Sequence, residues 1–546
     1  MAILFYVEGL SDGFGDYLFG LKAVHQLKKS LAERGYSDDI FLVTHQEGKK
    51  IIQDLGSDKE FGVTVLSRED YDALSKEGSF TLDYYIEGPV MTTTRIPLEP
   101  HTPILLLSEY SSFGSVYLES DNLKKSFKKY QDVQSIYSGL RIRSDEKGIL
   151  ISEELVNLTE ARKHNDLSFR AHYWQELNLP LRSNSSIEDY HQSTELSFQY
   201  SYDYPENSCK RFLSIHQWFN QNSSKNQDIV AIGKNKDKKR EALSSVLPEL
   251  IQSGFGKVLF IDLETGKEEM LHDNGEKNAR TYRLFFGKRL THRQMMALNA
   301  LSGELCGVRG DQSHGEALSA QKLIVYDCAS HKEDYAKGVI SCLHALSEDE
   351  NVRELLHLLQ YAELNPKNTN FNEKQYLRLK TLLSNPEVMQ KYKEACAKIP
   401  QQFNLGAAIA DVVIQAFLAR QNYRNMLSKF HDLRKAYPKI GFKKKMMFLT
   451  NEQRFESVNE TEKFIAQLNL ELQQHQITYK MAFSSLSEHV EQQIKHILTD
   501  HEGNSEHKGR RLLEKNVSRL AELYKKMLPE EKEDFSMERP FSKSMS

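Results

Sequence analysis

Residues 305–328 read LCGVRGDQSHGEALSAQKLIVYDC, from Leu305 to Cys328. Leu305–Val308 is a short apolar run, Arg309-Gly310-Asp311-Gln312 carries turn chemistry, and Leu323-Ile324-Val325-Tyr326 is the next apolar run. Between them Ser313-x-x-Glu316 has the spacing of a capping box, so a short helix is predicted to start at Ser313, with His314 at its first helical position. A helix N-terminus that faces out of a parallel sheet collects free backbone N–H groups and the positive end of the helix dipole, a place to hold a diphosphate.

The same alternation occurs twice more. Ala2–Glu8 is a strand, followed by the loop Gly9-Leu10-Ser11-Asp12-Gly13-Phe14-Gly15-Asp16 and a helix from about Tyr17 to Arg34 whose Leu18, Leu21, Val24, Leu27 and Leu31 keep helical spacing; Ile40–Val43 is the next strand. Further strands are expected at Val63–Leu66 and Ile104–Leu107. Asp228–Gly233 is again a strand, followed by the basic run Lys234-Asn235-Lys236-Asp237-Lys238-Lys239-Arg240, a helix over 241–252 and the strand Lys257–Ile261. Tyr282–Phe286 reads as a strand and Thr291–Ser302 as a helix whose methionines are core. Repeated strand–helix–strand units imply parallel sheets. The polar stretch Asn220–Gln227 is the expected linker, dividing 1–225 from 226–345. From 346 to 527 glycine becomes rare and helical patterns with charged faces take over; 528–546 is a polar tail. The predicted class is α/β, with two Rossmann-like domains followed by an all-helical C-terminal domain.

Composition narrows the function. With Lys+Arg 72 against Asp+Glu 76 and a net charge of -4, no overall basic field marks nucleic acid as the partner. The cysteines, Cys209, Cys306, Cys328, Cys342 and Cys396, are widely spaced and odd in number, which reads as reduced, buried thiols in a cytosolic setting. The chain opens directly into a strand, with no signal-peptide pattern, and its longest nearly apolar stretch, 406–419, is too short to span a bilayer. Asp70-Tyr71-Asp72 has metal-ligand spacing, but it falls in what reads as the first turn of a helix, where acidic residues are expected anyway. There is no HExxH, Walker lysine or GxSxG.

The order of strand, Gly310-Asp311-x-Ser313, then Glu316-Ala317-Leu318 and a strand from Lys322 resembles the donor half of GT-B glycosyltransferases. That resemblance implies that the backbone of Asp311, Gln312, Ser313 and His314 meets the diphosphate of a UDP- or GDP-linked sugar and that Glu316 binds its ribose; Arg309 is placed for phosphate as well. It also implies a cation at the leaving diphosphate, a role carried to Lys234, and no bound metal or other cofactor. Gly13-x-Gly15-Asp16 is similar to the opening of heptosyltransferase-like GT-B enzymes, which implies that Asp16 is the base that deprotonates the acceptor. Asp12 is a second candidate, and either aspartate also suits a helix start. The acidic, serine-containing end, Glu530 to Ser546, resembles the secretion signal of Dot/Icm type IV effectors, which implies delivery into a host cell and a host protein as acceptor. Two other readings stay open: a nucleotide-sugar epimerase or hydrolase on the same fold, and a non-catalytic effector that binds a host factor on a degenerate GT-B scaffold.

Overall fold

The computed structural model describes residues 2–9, 14–36, 39–76, 82–89, 96, 98, 102–108, 133–140, 146–164, 166–181, 186–201, 208–328, 332–362 and 373–418. The first sheet contains β1 (Ala2–Tyr6), β2 (Asp39–Thr44), β3 (Thr64–Ser67), β4 (Tyr84–Glu87), β5 (Ile104–Ser108) and β6 (Val133–Tyr137). Their order is β3-β2-β1-β4-β5-β6, all parallel. This is the doubly wound order, and its direction reverses between β1 and β4, the place where such sheets bind ligands at their carboxyl ends. The helix Phe14–Glu33 buries Leu21, Val24, Leu27 and Leu31 on this sheet, and the chain turns away at Gly35, whose φ is 80°. β4 passes into Gly88, where a Cβ would sit 2.1 Å from the Leu107 carbonyl oxygen, so only glycine lets β4 and β5 run this close.

The second sheet contains β7 (Thr194–Tyr200), β8 (Asn226–Ile232), β9 (Lys257–Asp262), β10 (Glu268–Asp273), β11 (Thr281–Gly287), β12 (Leu305–Val308), β13 (Leu323–Cys328) and β14 (Gln360–Ala362). Their order is β10-β9-β11-β8-β7-β12-β13-β14, parallel except for β10, which runs antiparallel along β9. Taken from β11 to β14 this repeats the Rossmann order, with the reversal between β7 and β12. The architecture is therefore mixed α/β, with two Rossmann-like domains and a helical C-terminal region.

The expected domain limits move. β7 lies at the centre of the second sheet, so the second domain begins before 194 and not at 226. Asn220–Gln227 is the turn from the helix Ser208–Phe219 into β8, within one domain. A polar turn inside a βαβ unit has the composition of a linker, and only strand pairing tells them apart. The region after 345 is not purely helical, because Gln360–Ala362 adds an edge strand to β13. The helices Glu373–Leu383 and Pro386–Gln402 pack with the second domain, while the helix over 405–418 returns to the first, placing Leu405, Ile409 and Val413 in its core with Val24 and Leu27. The basic patch at 442–447 and the tail lie outside the described residues. All five cysteines are buried and unbridged.

Candidate active site

A narrow crevice opens at the reversal point of the second sheet. Its walls are Gln199 and Tyr200 at the end of β7, Gly307 and Val308 at the end of β12, Val325 to Asp327 on β13, and Ser208, Arg211 and Phe212 from the next helix. Gly307 is required there, since a Cβ would lie 2.7 Å from Gln199 and 2.8 Å from Phe212. The side chains around it carry more positive than negative charge. Lys239 turns inward and is buried, with its Nζ donating to Gln199 Oε1 at 3.1 Å and to Ser201 Oγ at 2.5 Å. Arg309 donates to Asp327 at 3.1 Å, and Lys332 pairs with Asp311 at 2.9 Å. Arg211 completes the group, against the two carboxylates Asp327 and Asp311. Burial raises the Asp327 carboxyl above the usual range, with Arg309 opposing it. A partly buried surplus of cations beside a strand-to-helix turn is chemistry for an anion.

The helix after β12 starts earlier than its Ser-x-x-Glu spacing predicts. It spans Asp311–Ser319 with Gly310 at the N-cap and no side-chain cap. Ser313 instead donates to the Gly310 carbonyl at 2.8 Å. The capping box does not form because the helix already begins at Asp311, which puts Ser313 inside it and not at the N-cap. Asp311 accepts from the Tyr326 hydroxyl at 3.0 Å, and Gln312 is partly exposed with its Oε1 buried and without a hydrogen-bond partner among the described residues. His314 stands at the fourth helical position, not the first. It is buried against Tyr326 and Tyr335, 3.2 Å from the Tyr335 hydroxyl, and burial lowers its pKa to about 3. A neutral, enclosed imidazole is a packing element.

Glu316 faces the other domain. It pairs with Lys22 of the helix Phe14–Glu33 and with His292 Nε2 at 3.0 Å. His292 opens the helix His292–Leu301, and its Nδ1 lies 2.6 Å from Glu60 of the first domain. Arg293 extends the chain of charges to Glu60 at 3.4 Å and to Glu154 at 3.2 Å. The carboxylate expected to hold ribose is thus the centre of a buried interdomain ion cluster. Burial pushes its pKa up, but the Lys22 charge and the His292 contact outweigh this and bring it down to about 2.

Asp16 lies in the first turn of the helix that carries Lys22 and is partly buried. Six residues separate it from Lys22, about 9 Å along the axis, so one helix links the expected base to Glu316. Lys234 is exposed at the end of β8. The basic run beyond it is the start of the helix Lys236–Ser245, capped by Asn235, with Lys236 on Asp262 at 2.8 Å. Asp70 pairs with Lys49 and accepts from the Ser67 backbone, both at 2.7 Å, as a residue of a helix start. Among the described residues no group of three or more His, Cys, Asp or Glu is placed to hold a metal ion, and no helix is long and apolar enough to cross a membrane.

Several groups escaped sequence reading. Lys239 was one of four lysines in a run, and only its place one turn into the helix turns it toward the crevice. At the carboxyl ends of the first sheet, His45 lies 3.0 Å from Glu8, and Glu87 is fully buried beside Tyr6. Their positions at strand ends were a usable signal for Glu8 and His45, since both strands were legible.

No protein-family model matches the chain, and no curated protein matches it. Among solved structures it is similar to the UDP-GlcNAc 2-epimerase of Neisseria meningitidis bound to UDP-GlcNAc, at 11% identity and a TM-score of 0.41, covering 77% of this chain and 100% of that one. It is similar to MurG of Acinetobacter baumannii at 10% identity and a TM-score of 0.38, covering 76% and 99%. The trehalose-6-phosphate phosphatase N-terminal domain of Candida albicans gives 10% identity and a TM-score of 0.39, covering 76% and 97%. Overlaps at this level do not identify an activity.

Proposed function

We propose that the protein is a nucleotide-sugar-dependent glycosyltransferase of the GT-B type. The observation that supports this reading is the cation-rich crevice at the reversal point of the second sheet, beside the N-terminus of the helix Asp311–Ser319. The donor is a UDP- or GDP-linked sugar. Arg309, with the backbone of Asp311, Gln312 and Ser313, meets the diphosphate, and Lys239 contributes the inward-facing cation while Lys234 stays at the rim. Cations held in place stabilise the charge that grows on a departing diphosphate. Asp16 and the other ionisable groups of the first domain stand on the acceptor side. Thermal unfolding with UDP, GDP, ADP and their sugar conjugates tests this. One nucleotide family is expected to stabilise the chain by about 2.7 kcal/mol at 100 times its Kd, and the gain should fall in Arg309→Gln.

One observation favours a second reading, a non-catalytic scaffold: Glu316 is already held by Lys22 and His292. Absence of stabilisation by every nucleotide at millimolar concentration would establish that alternative. The tail composition supports delivery into a host cell by a type IV system, with a host protein as acceptor. A translocation reporter carrying residues 528–546 is expected to be delivered, and a reporter retained in the bacterium refutes it.

A further inference from the structure

The carboxyl ends of β1, β2 and β4 gather ionisable groups in the domain opposite the cationic crevice. His45 Nε2 lies 3.0 Å from Glu8 Oε1 and 3.5 Å from the Tyr6 hydroxyl. The His45 and Glu8 side chains are 41% and 25% exposed. Tyr6 ends β1 and is in register with Glu87 at the end of β4, which accepts from the Tyr85 hydroxyl at 3.0 Å. β1 and β4 flank the reversal point of the first sheet, where doubly wound folds place ligands. His45 occupies the N-cap of the helix Gln46–Asp54 yet makes no side-chain cap bond, so its ring is not used for capping.

The histidines of the interior look different. His216 and His314 are fully enclosed, and burial brings the pKa of each to about 3. His45 is open to a substrate and has a carboxylate partner. An imidazole that gives its Nε2 hydrogen to a carboxylate presents Nδ1 as a proton acceptor. Glu8, Glu87 and Arg68 act on the Tyr6 hydroxyl beside the ring, and Glu47 and Lys49 belong to the helix that His45 opens.

We propose that His45, positioned by Glu8, is the general base that accepts the proton of a hydroxyl-bearing acceptor. This rests on the nucleotide-sugar reading. In the step, the acceptor oxygen bonds to the anomeric carbon, and the bond from that carbon to the diphosphate oxygen breaks. The electron pair leaves with the nucleoside diphosphate toward the cationic crevice, and the acceptor proton goes to His45 Nδ1. Glu8 is a positioning residue, since its charge stabilises the imidazolium that forms.

The test uses the full chain with UDP-glucose, UDP-GlcNAc and GDP-mannose, water as acceptor, and the released nucleoside diphosphate measured across pH. His45→Asn keeps a good N-cap residue, and the thermal midpoint of each variant reports its folding. His45→Asn is expected to lower kcat by about 100-fold or more, to abolish the fall in rate on the acid side, and to keep nucleotide stabilisation. Glu8→Gln is expected to lower kcat with little change in KM, because it removes the charge that steadies the ring during proton transfer. A His45→Asn protein with the wild-type rate and an intact limb overturns the assignment, as does loss of both in Asp16→Asn but not in His45→Asn. Nucleotide stabilisation without turnover of any donor overturns the proton-transfer role alone. Neither stabilisation nor turnover overturns the underlying reading as well.

Discussion

Glu316→Ala is expected to cost about 3–5 kcal/mol of stability, the usual penalty for removing one partner of a buried ion pair. The change leaves Lys22 and His292 facing each other, with side chains 10% and 7% exposed and their shared carboxylate gone. Glu60 still holds His292, but among the described residues the ion pair of Lys22 is with Glu316. The double variant Lys22→Met, Glu316→Leu should recover much of the loss, since an apolar pair of similar volume often equals a buried ion pair. Thermal and denaturant unfolding of wild type, Glu316→Ala and the double variant measure this, and a Glu316→Ala midpoint equal to wild type would remove the cluster from any account of how the domains are held.

The same cluster sets a pH dependence. The folded Glu316 pKa of about 2 lies below its ordinary 4.5, so its contribution, about 3 kcal/mol by linkage, is present above 4.5 and lost as pH falls toward 2. His292 has the opposite sign. Burial and Lys22 lower its pKa, but the hydrogen bonds to Glu316 and Glu60 prevail and raise it above 6.5. Its contribution is therefore complete below 6.5 and lost as pH rises through the folded value. The stability difference between wild type and His292→Gln should narrow steadily on the alkaline side; a difference independent of pH would contradict the assignment.

Asp228→Ala should cost a similar amount, about 3–5 kcal/mol. Asp228 on β8 is fully buried and stands in register with Arg283 on β11. Its Oδ1 accepts from Arg283 Nε at 2.8 Å and its Oδ2 from the Tyr190 hydroxyl at 2.8 Å. Truncation strands a guanidinium and a phenol among the central strands, whereas Asp228→Asn keeps an acceptor and should lose less. The pair lies toward the start of its strand, away from the carboxyl-end crevice, so nucleotide binding by the folded variant should be unchanged. A denaturation midpoint within error of wild type for Asp228→Ala would show that the pair adds no net stability.

Much of the fold was legible because it is local. Alternating apolar runs and amphipathic helices marked β1, β2, β5, β8, β9, β11, β12 and β13, and a strand followed by a helix and another strand has little choice but a parallel sheet. The class followed from that repetition. The carboxyl ends of those strands also mark where open α/β sheets hold ligands, and the roles given to Arg309 and Asp311 there come from the family resemblance.

The roles of individual side chains were not local. Glu316 had the spacing of a cap, yet its partner Lys22 is 294 positions away and arrives only when the two domains meet. His314 had the look of a loop ligand until the aromatic walls of Tyr326 and Tyr335 enclosed it. Glu8 and His45 lie just beyond strands that the sequence reveals, but their contact exists because β1 and β2 are hydrogen-bonded neighbours with their ends together. Periodicity records which face of an element is buried, a property of a few consecutive residues. Which charge ends beside which other charge depends on strand order and domain packing, and those are fixed by burial over the whole chain.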